Sequence, residues 1–101
     1  VADDAATVMR VFRARVKPGR EGDWEALLDR QIGAQLQGAR GLLRWFRGRP
    51  LDEETHEYVV VTLWRDKDSV RAFAGASGRP VLFPGQADLE ESDDAQLYEL
   101  W

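Results

Sequence analysis

The spacing of hydrophobic positions changes several times along the 101-residue chain, and each change marks a new element. Thr7 to Val16 reads TVMRVFRARV, rich in β-branched residues and partly alternating. It stops at Lys17-Pro18-Gly19, which predicts a strand followed by a turn. One strand face carries Val8, Arg10, Phe12, Ala14 and Val16; the other carries Met9, Val11, Arg13 and Arg15. From about residue 20 the period lengthens. Trp24, Leu27, Leu28, Ile32 and Leu36 recur at three and four residues, opposite Glu21, Asp23, Glu25, Asp29 and Arg30. This predicts an amphipathic helix over 20–37, with acidic residues in the first turn where the helix dipole favours them. Gly38 and Gly41 bracket its end.

Leu42 to Arg49 predicts a second strand and Thr55 to Arg65 a third, joined by a short polar connection as a hairpin. Tyr58, Val60, Thr62 and Trp64 share one face of the third strand; Val59, Val61 and Leu63 share the other. Asp66 to Ala74 predicts a short helix, with Asp66 or Ser69 as N-cap and Val70, Phe73 and Ala74 facing inward. Residues 80–92 read as irregular with one helical turn after VLFPG, and AQLYELW at 95–101 as a last strand. The order is βαββαβ, an α+β ferredoxin-like domain over 7–101 after a flexible tail at 1–6, with a four-stranded antiparallel sheet and helices on one face. The third strand is apolar on both faces, so its helix-free face needs a cover. A homodimer supplies it by closing two sheets into a dimeric α/β barrel.

Composition narrows the chemistry. There is no cysteine, which excludes disulfides, thiolate catalysis and cysteine-ligated metal centres. The net charge of −4 argues against nucleic-acid binding. No apolar run approaches the ~20 residues of a membrane span, and the acidic start VADDAAT does not resemble a targeting segment, so a cytoplasmic protein is expected. The run Asp88, Glu90, Glu91, Asp93, Asp94 reads as solvated surface. No P-loop, GxGxxG or metal-ligand spacing is present, and Ser69 and Ser77 have no sequence reason to meet His56. Neither a cofactor nor a metal is expected. Twelve of the fourteen basic residues are arginine. Arg10, Arg13, Arg15, Arg44, Arg47 and Arg49 cluster in two strands, where they either pair at the surface or line a pocket.

Four stretches carry a resemblance: RVKPGREGDWEALL (15–28), YVVVTLWRDKDSVRAF (58–73), PVLFPGQADLEE (80–91) and AQLYELW (95–101). With these the chain resembles the antibiotic biosynthesis monooxygenase family of dimeric α/β-barrel proteins. The resemblance implies one of two chemistries. Haem-degrading members use a histidine on or near the second helix and an asparagine on the first strand. Phe83 and Phe12 stand at those positions, and His56, the one histidine, begins the third strand. Members that oxygenate aromatic polyketides without a cofactor place a Trp at the end of the third strand, an Asn four residues earlier and a Tyr six residues later. Trp64 matches the first, while Val60 and Val70 stand at the other two.

The expected activity is therefore cofactor-independent monooxygenation of a small aromatic, polyketide-like molecule. The candidate catalytic residues are Trp64, Tyr58 and Arg10, and the candidate substrate contacts are Phe12, Val60, Thr62, Val70 and Phe83. Arg10 offers a charged fork to a phenolate or carboxylate, Tyr58 a proton, and Trp64 an indole N–H and a flat wall. Arg10, Phe12, Tyr58, Val60, Thr62 and Trp64 are placed on the face that lines the barrel. A non-catalytic dimer that binds a small hydrophobic ligand or serves as an interaction module is the alternative. Isomerase or decarboxylase chemistry with Tyr58 or His56 as acid or base is a third.

Overall fold

Alternation becomes pairing in the computed structural model, which describes residues 6–75 and 82–101. β1 (Val8–Val16), α1 (Glu21–Gln37), β2 (Leu42–Gly48), β3 (Glu57–Trp64), α2 (Lys67–Ala74) and β4 (Glu90–Glu99) follow in the expected βαββαβ order. Short 3₁₀ turns at Glu53–Thr55 and Ala87–Leu89 precede β3 and β4. Expectations for residues 1–5 and 76–81 lie outside the described residues.

The sheet order is β2-β3-β1-β4 with antiparallel neighbours throughout, the ferredoxin-like arrangement. Register sets Val8 beside Trp64, Arg10 beside Thr62, Phe12 beside Val60 and Ala14 beside Tyr58. These residues share one face, and α1 packs on it through Trp24, Leu27, Leu28, Ile32 and Leu36. That corrects the barrel-lining assignment. The face holding Arg10, Phe12, Tyr58, Val60, Thr62 and Trp64 lies beneath the helices, while Met9, Val11, Val59, Val61 and Leu63 share the opposite face. Because both faces of β3 are apolar, strand alternation fixes which residues go together but not which face the helices take.

β4 starts at Glu90 rather than residue 95. Its charged first half hides the strand pattern, yet Asp94 sits in register opposite Arg13, an opposite-charge pairing that an edge strand accommodates. α2 is capped by Asp66, whose carboxylate accepts the Ser69 N–H at 2.8 Å. Its inner face packs on the fully buried Trp64, with the Phe73 ring centroid 5.2 Å away and Val8 and Val70 completing the cluster.

Gly41 joins α1 to β2 with φ +87°, and its carbonyl accepts the Arg65 N–H at 2.8 Å. An added Cβ would lie 2.0 Å from Ser69 Oγ and 2.4 Å from Ser69 Cβ. Gly41→Ala therefore meets both a left-handed backbone and the first turn of α2. It is expected to destabilise the fold by about 1–3 kcal/mol in urea unfolding, without changing the m-value.

Candidate functional site

Two neighbouring clefts lie between α1 and the sheet. The inner one has a volume of about 30 Å³. Among the described residues it is lined by Arg10 and Phe12 of β1, Val60 and Thr62 of β3, and Leu28, Ile32, Gln35 and Leu36 of α1. Phe73, Phe83 and Gln86 complete it. The outer one, about 230 Å³, is lined by Trp24, Glu25, Leu28, Asp29, Arg47, Gly48, Arg49 and Tyr58.

Arg10 enters the inner cleft because its position in β1 points it to the helix-covered face. Only 4% of it is exposed, and it alone of the six clustered arginines is buried. Burial pulls its pKa below the ordinary arginine value, since desolvation penalises the cation. The guanidinium carbon stands 5.7 Å from the Phe73 ring centroid. A negatively charged group placed here would offset the desolvation of this cation.

Trp64 lines neither cleft. It is wholly buried behind the inner one, and its indole N–H donates to the Thr62 hydroxyl at 2.8 Å. That hydroxyl lies 3.5 Å from the Arg10 carbonyl. Trp64 thus meets the cleft through Thr62 and Phe73. Val70 is buried in the same cluster. Phe12, Val60, Thr62 and Phe83 do meet Arg10 around the inner cleft.

Tyr58 belongs to the outer cleft, with its ring 4.5 Å from that of Trp24. Its hydroxyl donates to Glu25 Oε2 at 2.6 Å, and Arg49 donates to Glu25 Oε1 at 2.7 Å. Burial and the Glu25 carboxylate both push the Tyr58 pKa well above the ordinary tyrosine value. The Tyr58 hydrogen bond, with help from Arg49, holds Glu25 below the usual carboxylate range. A second ion pair, Arg47 to Asp29 at 2.5 Å, also bridges α1 and β2.

The solvated reading of the acidic run fails at Glu90, which is 7% exposed. Its Oε2 accepts the Trp24 indole N–H at 2.7 Å and the Gln86 amide at 2.9 Å. Gln86 Oε1 accepts the Phe83 backbone N–H at 2.9 Å, so this chain of bonds fixes one wall of the inner cleft. His56 is half-buried, with Nδ1 3.4 Å from Glu21 Oε2. It lines neither cleft.

Sequence reasoning missed Gln35, Gln86, Glu25, Asp29 and Leu28 as cleft residues. Leu28 and Ile32 carry the helical core spacing and nothing else. Gln86 has no local signal, because its role arises from Glu90 four residues on and from the Phe83 backbone. Among the described residues no three His, Asp or Glu side chains converge to hold a metal, and no helix is long and apolar enough to cross a membrane.

Burial, reinforced by the neighbouring Asp93, pushes the Glu90 pKa up to about 7, against the opposing donors Trp24 and Gln86. In the unfolded chain the value is about 4.3. Between these values the folded state binds more protons. The stability contributed by the neutral carboxyl is complete below the unfolded value and is lost as the pH rises through 7. Glu90→Gln keeps the group neutral and able to accept both donors. Chemical unfolding at pH 5 and pH 8 should show the variant more stable by about 1–3 kcal/mol at the higher pH, with a flatter profile between.

The sequence profile of the antibiotic biosynthesis monooxygenase family matches residues 7–78. No curated protein sequence matches the chain. Among solved structures, a mutant of SnoaB, a cofactor-independent oxygenase from Streptomyces nogalater, superposes with TM-score 0.69 at 20% identity, covering 93% of this chain and 92% of the other. NE2512, a protein of unknown function from Nitrosomonas europaea, gives 0.75 at 19% identity over 97% and 92%. PA3566 from Pseudomonas aeruginosa gives 0.72 at 13% identity over 98% of each. The three share the fold described above, and the profile match across most of the chain makes this protein a member of the antibiotic biosynthesis monooxygenase family.

Proposed function

We propose that the protein binds a small electron-rich aromatic molecule in the inner cleft and oxygenates it without a cofactor. The observation that carries this reading is the buried Arg10 guanidinium at a cleft walled by Phe12, Phe73 and Phe83. Aromatic walls with a few convergent polar groups are the usual make-up of a small-molecule site. A guanidinium keeps its charge and offers a directional fork, so it stabilises the anion of a phenolic substrate and favours loss of the phenol proton. The anion gives one electron to dioxygen, and the radical pair joins as a carbon-bound peroxide, which takes back the proton the phenol lost to become the hydroperoxide. Loss of water then leaves a carbonyl. A CH₂ group and O₂ become C=O and H₂O, with no external reductant. The apolar walls keep water from the intermediates.

Likeness to SnoaB, a cofactor-independent oxygenase, supports the reading. With valines at 60 and 70, the polar work falls to Arg10, Thr62 and Gln86. Trp64 acts behind the wall by holding the Thr62 hydroxyl and the Phe73 ring. The inner cleft has room for about one water. A ring therefore enters by displacing Phe73 and Phe83, both half-buried. That small volume favours, as a second reading, a binding protein without turnover. A homodimer through the helix-free face, around Val11, Val61 and Phe46, is part of the same proposal; these residues lie side by side in register.

Dioxygen uptake by the metal-free protein with a panel of anthrones, whose ring CH₂ is the group oxidised, tests the activity. Uptake well above the protein-free rate is expected, reduced at least about tenfold in Arg10→Gln, equivalent to about 1.4 kcal/mol. Trp64→Phe is expected to slow it less and to lower the melting temperature. A flat response across the panel, with ligand binding retained, would select the non-catalytic reading. In sedimentation, Phe46→Glu is expected to convert dimer to monomer; an unchanged mass would remove the dimer proposal.

A further inference from the structure

β4 does not pair evenly with β1. Arg15 lies opposite Ser92 and Val16 opposite Glu90, so Glu91 is an extra residue and the strand bulges. In a regular strand, residues 90 and 93 would face opposite sides. The bulge sets both on the helix-covered face, Glu90 beside Val16 and Asp93 beside Ala14. Glu90 is buried and Asp93 half-buried, while Glu91 and Ser92 between them are exposed. Two carboxyl groups thus meet at the start of an edge strand, and they hydrogen-bond with each other. Such a bond requires a proton on one of the two, because ionised carboxylates only accept.

We propose that Glu90 and Asp93 share one proton and act as a pH-sensitive latch on the turn before β4, residues 82–89. With the proton in place the turn is held against the core and walls the inner cleft. Loss of the proton to solvent releases the turn. The latch concerns the wall of the cleft and does not depend on what the cleft binds.

Hydrogen bonds run from the carboxyl pair to the cleft wall. Glu90 Oε2 accepts from Trp24 of α1 and from the Gln86 amide, and Gln86 Oε1 accepts from the Phe83 N–H. Phe83 and Gln86 both line the inner cleft. Within the turn only Gln86 and Leu89 are buried; Pro84, Gly85, Ala87 and Asp88 are exposed. Among the described residues no donor reaches Glu90 Oε1. Around the pair, β1 presents Ala14 and Val16, and α1 presents Trp24. Of the cations flanking α1 and β3, Arg20 is paired with Asp23, and His56 stands beside Glu21. A protonated Glu90 donates to Asp93 and keeps both of its own donors. An ionised Glu90 lies buried beside a second carboxylate, where desolvation and like-charge repulsion act together. Turning out to water at the sheet edge relieves both. Gln86 then loses its acceptor and the Phe83 N–H its anchor.

The closed turn holds Glu90 at a pKa of about 7, whereas a released, solvated glutamate titrates at about 4.3. The closed form therefore binds the proton more tightly. Opening is least below the lower value, rises with pH between the two and levels off above the higher one. Backbone hydrogen exchange of the full chain, followed by NMR from pH 5 to pH 8, tests this, with each rate divided by the intrinsic rate at its pH. Protection of the Phe83 N–H is expected to fall by about tenfold per pH unit up to pH 7 and then level off. Amides of β3 are expected to stay at least about tenfold better protected throughout, because the turn opens without global unfolding. In Glu90→Gln the protection of Phe83 should no longer depend on pH. In Asp93→Asn the fall should end at a lower pH, since the like charge is gone.

Phe83 protection that does not change with pH in the unaltered protein would overturn the latch. So would exchange of Phe83 in step with the β3 amides, which would mean that the turn opens only when the whole domain unfolds. A pH-dependent fall that persists in Glu90→Gln would assign the effect to another group. If Glu90→Gln does not fold, Asp93→Asn decides, and an unshifted profile there would remove the shared proton.

Discussion

The docking of α1 across the even-numbered face of β1 and β3 is the contact from which both core and clefts follow. Trp24, Leu27, Leu28, Ile32 and Leu36 form its apolar stripe, and they meet Phe12, Ala14, Val16, Tyr58 and Val60. Burial of that stripe stabilises a 17-residue helix that propensity alone would leave marginal. The same contact forces whatever else lies on that strand face into the interior. Arg10 is there for this reason, as are the Thr62 hydroxyl and the polar end of Tyr58. The clefts are the places where helix and sheet do not fill the space between them.

Charged groups held in this interior meet burial in different ways. Glu90 can take up a proton, so its environment raises its pKa and the carboxyl becomes neutral as the pH falls through about 7. Arg10 has no such route, because a guanidinium stays ionised across the accessible pH range. The electron-rich face of the Phe73 ring offsets part of its desolvation. Glu25 takes a third course at the edge of the core, where Tyr58 and Arg49 hold it ionised. Among the described residues the interior thus carries a fixed positive charge at Arg10 and an adjustable negative group at Glu90, the latter bridged to the cleft wall through Gln86.

Much of the fold is legible in the sequence because it rests on local periodicity. The 3.6-residue spacing from Trp24 to Leu36 gives α1 nearly to its ends, and strand alternation gives β1 and β3 with the correct sets of facing residues. β4 is harder to read, since Glu90, Asp93 and Asp94 replace the apolar half of the alternation and find their partners on β1 or in the core. Arg10, Phe12, Val60, Thr62 and Phe83 meet around one cleft because strand register and the turn before β4 bring them there. Trp64, conspicuous in the sequence, lies one layer behind.

What the sequence determined by itself is the order of elements, the composition of each strand face, and the family to which the chain belongs. Only the tertiary structure decided which face the helices cover, because β3 is apolar on both sides and its pattern is symmetric to that choice. The burial of Glu90, the pairing of Tyr58 with Glu25 and the shared position of Leu28 were likewise decided there. Each joins residues 30 or more apart in the chain or from different elements, and such contacts leave no periodic trace along the sequence.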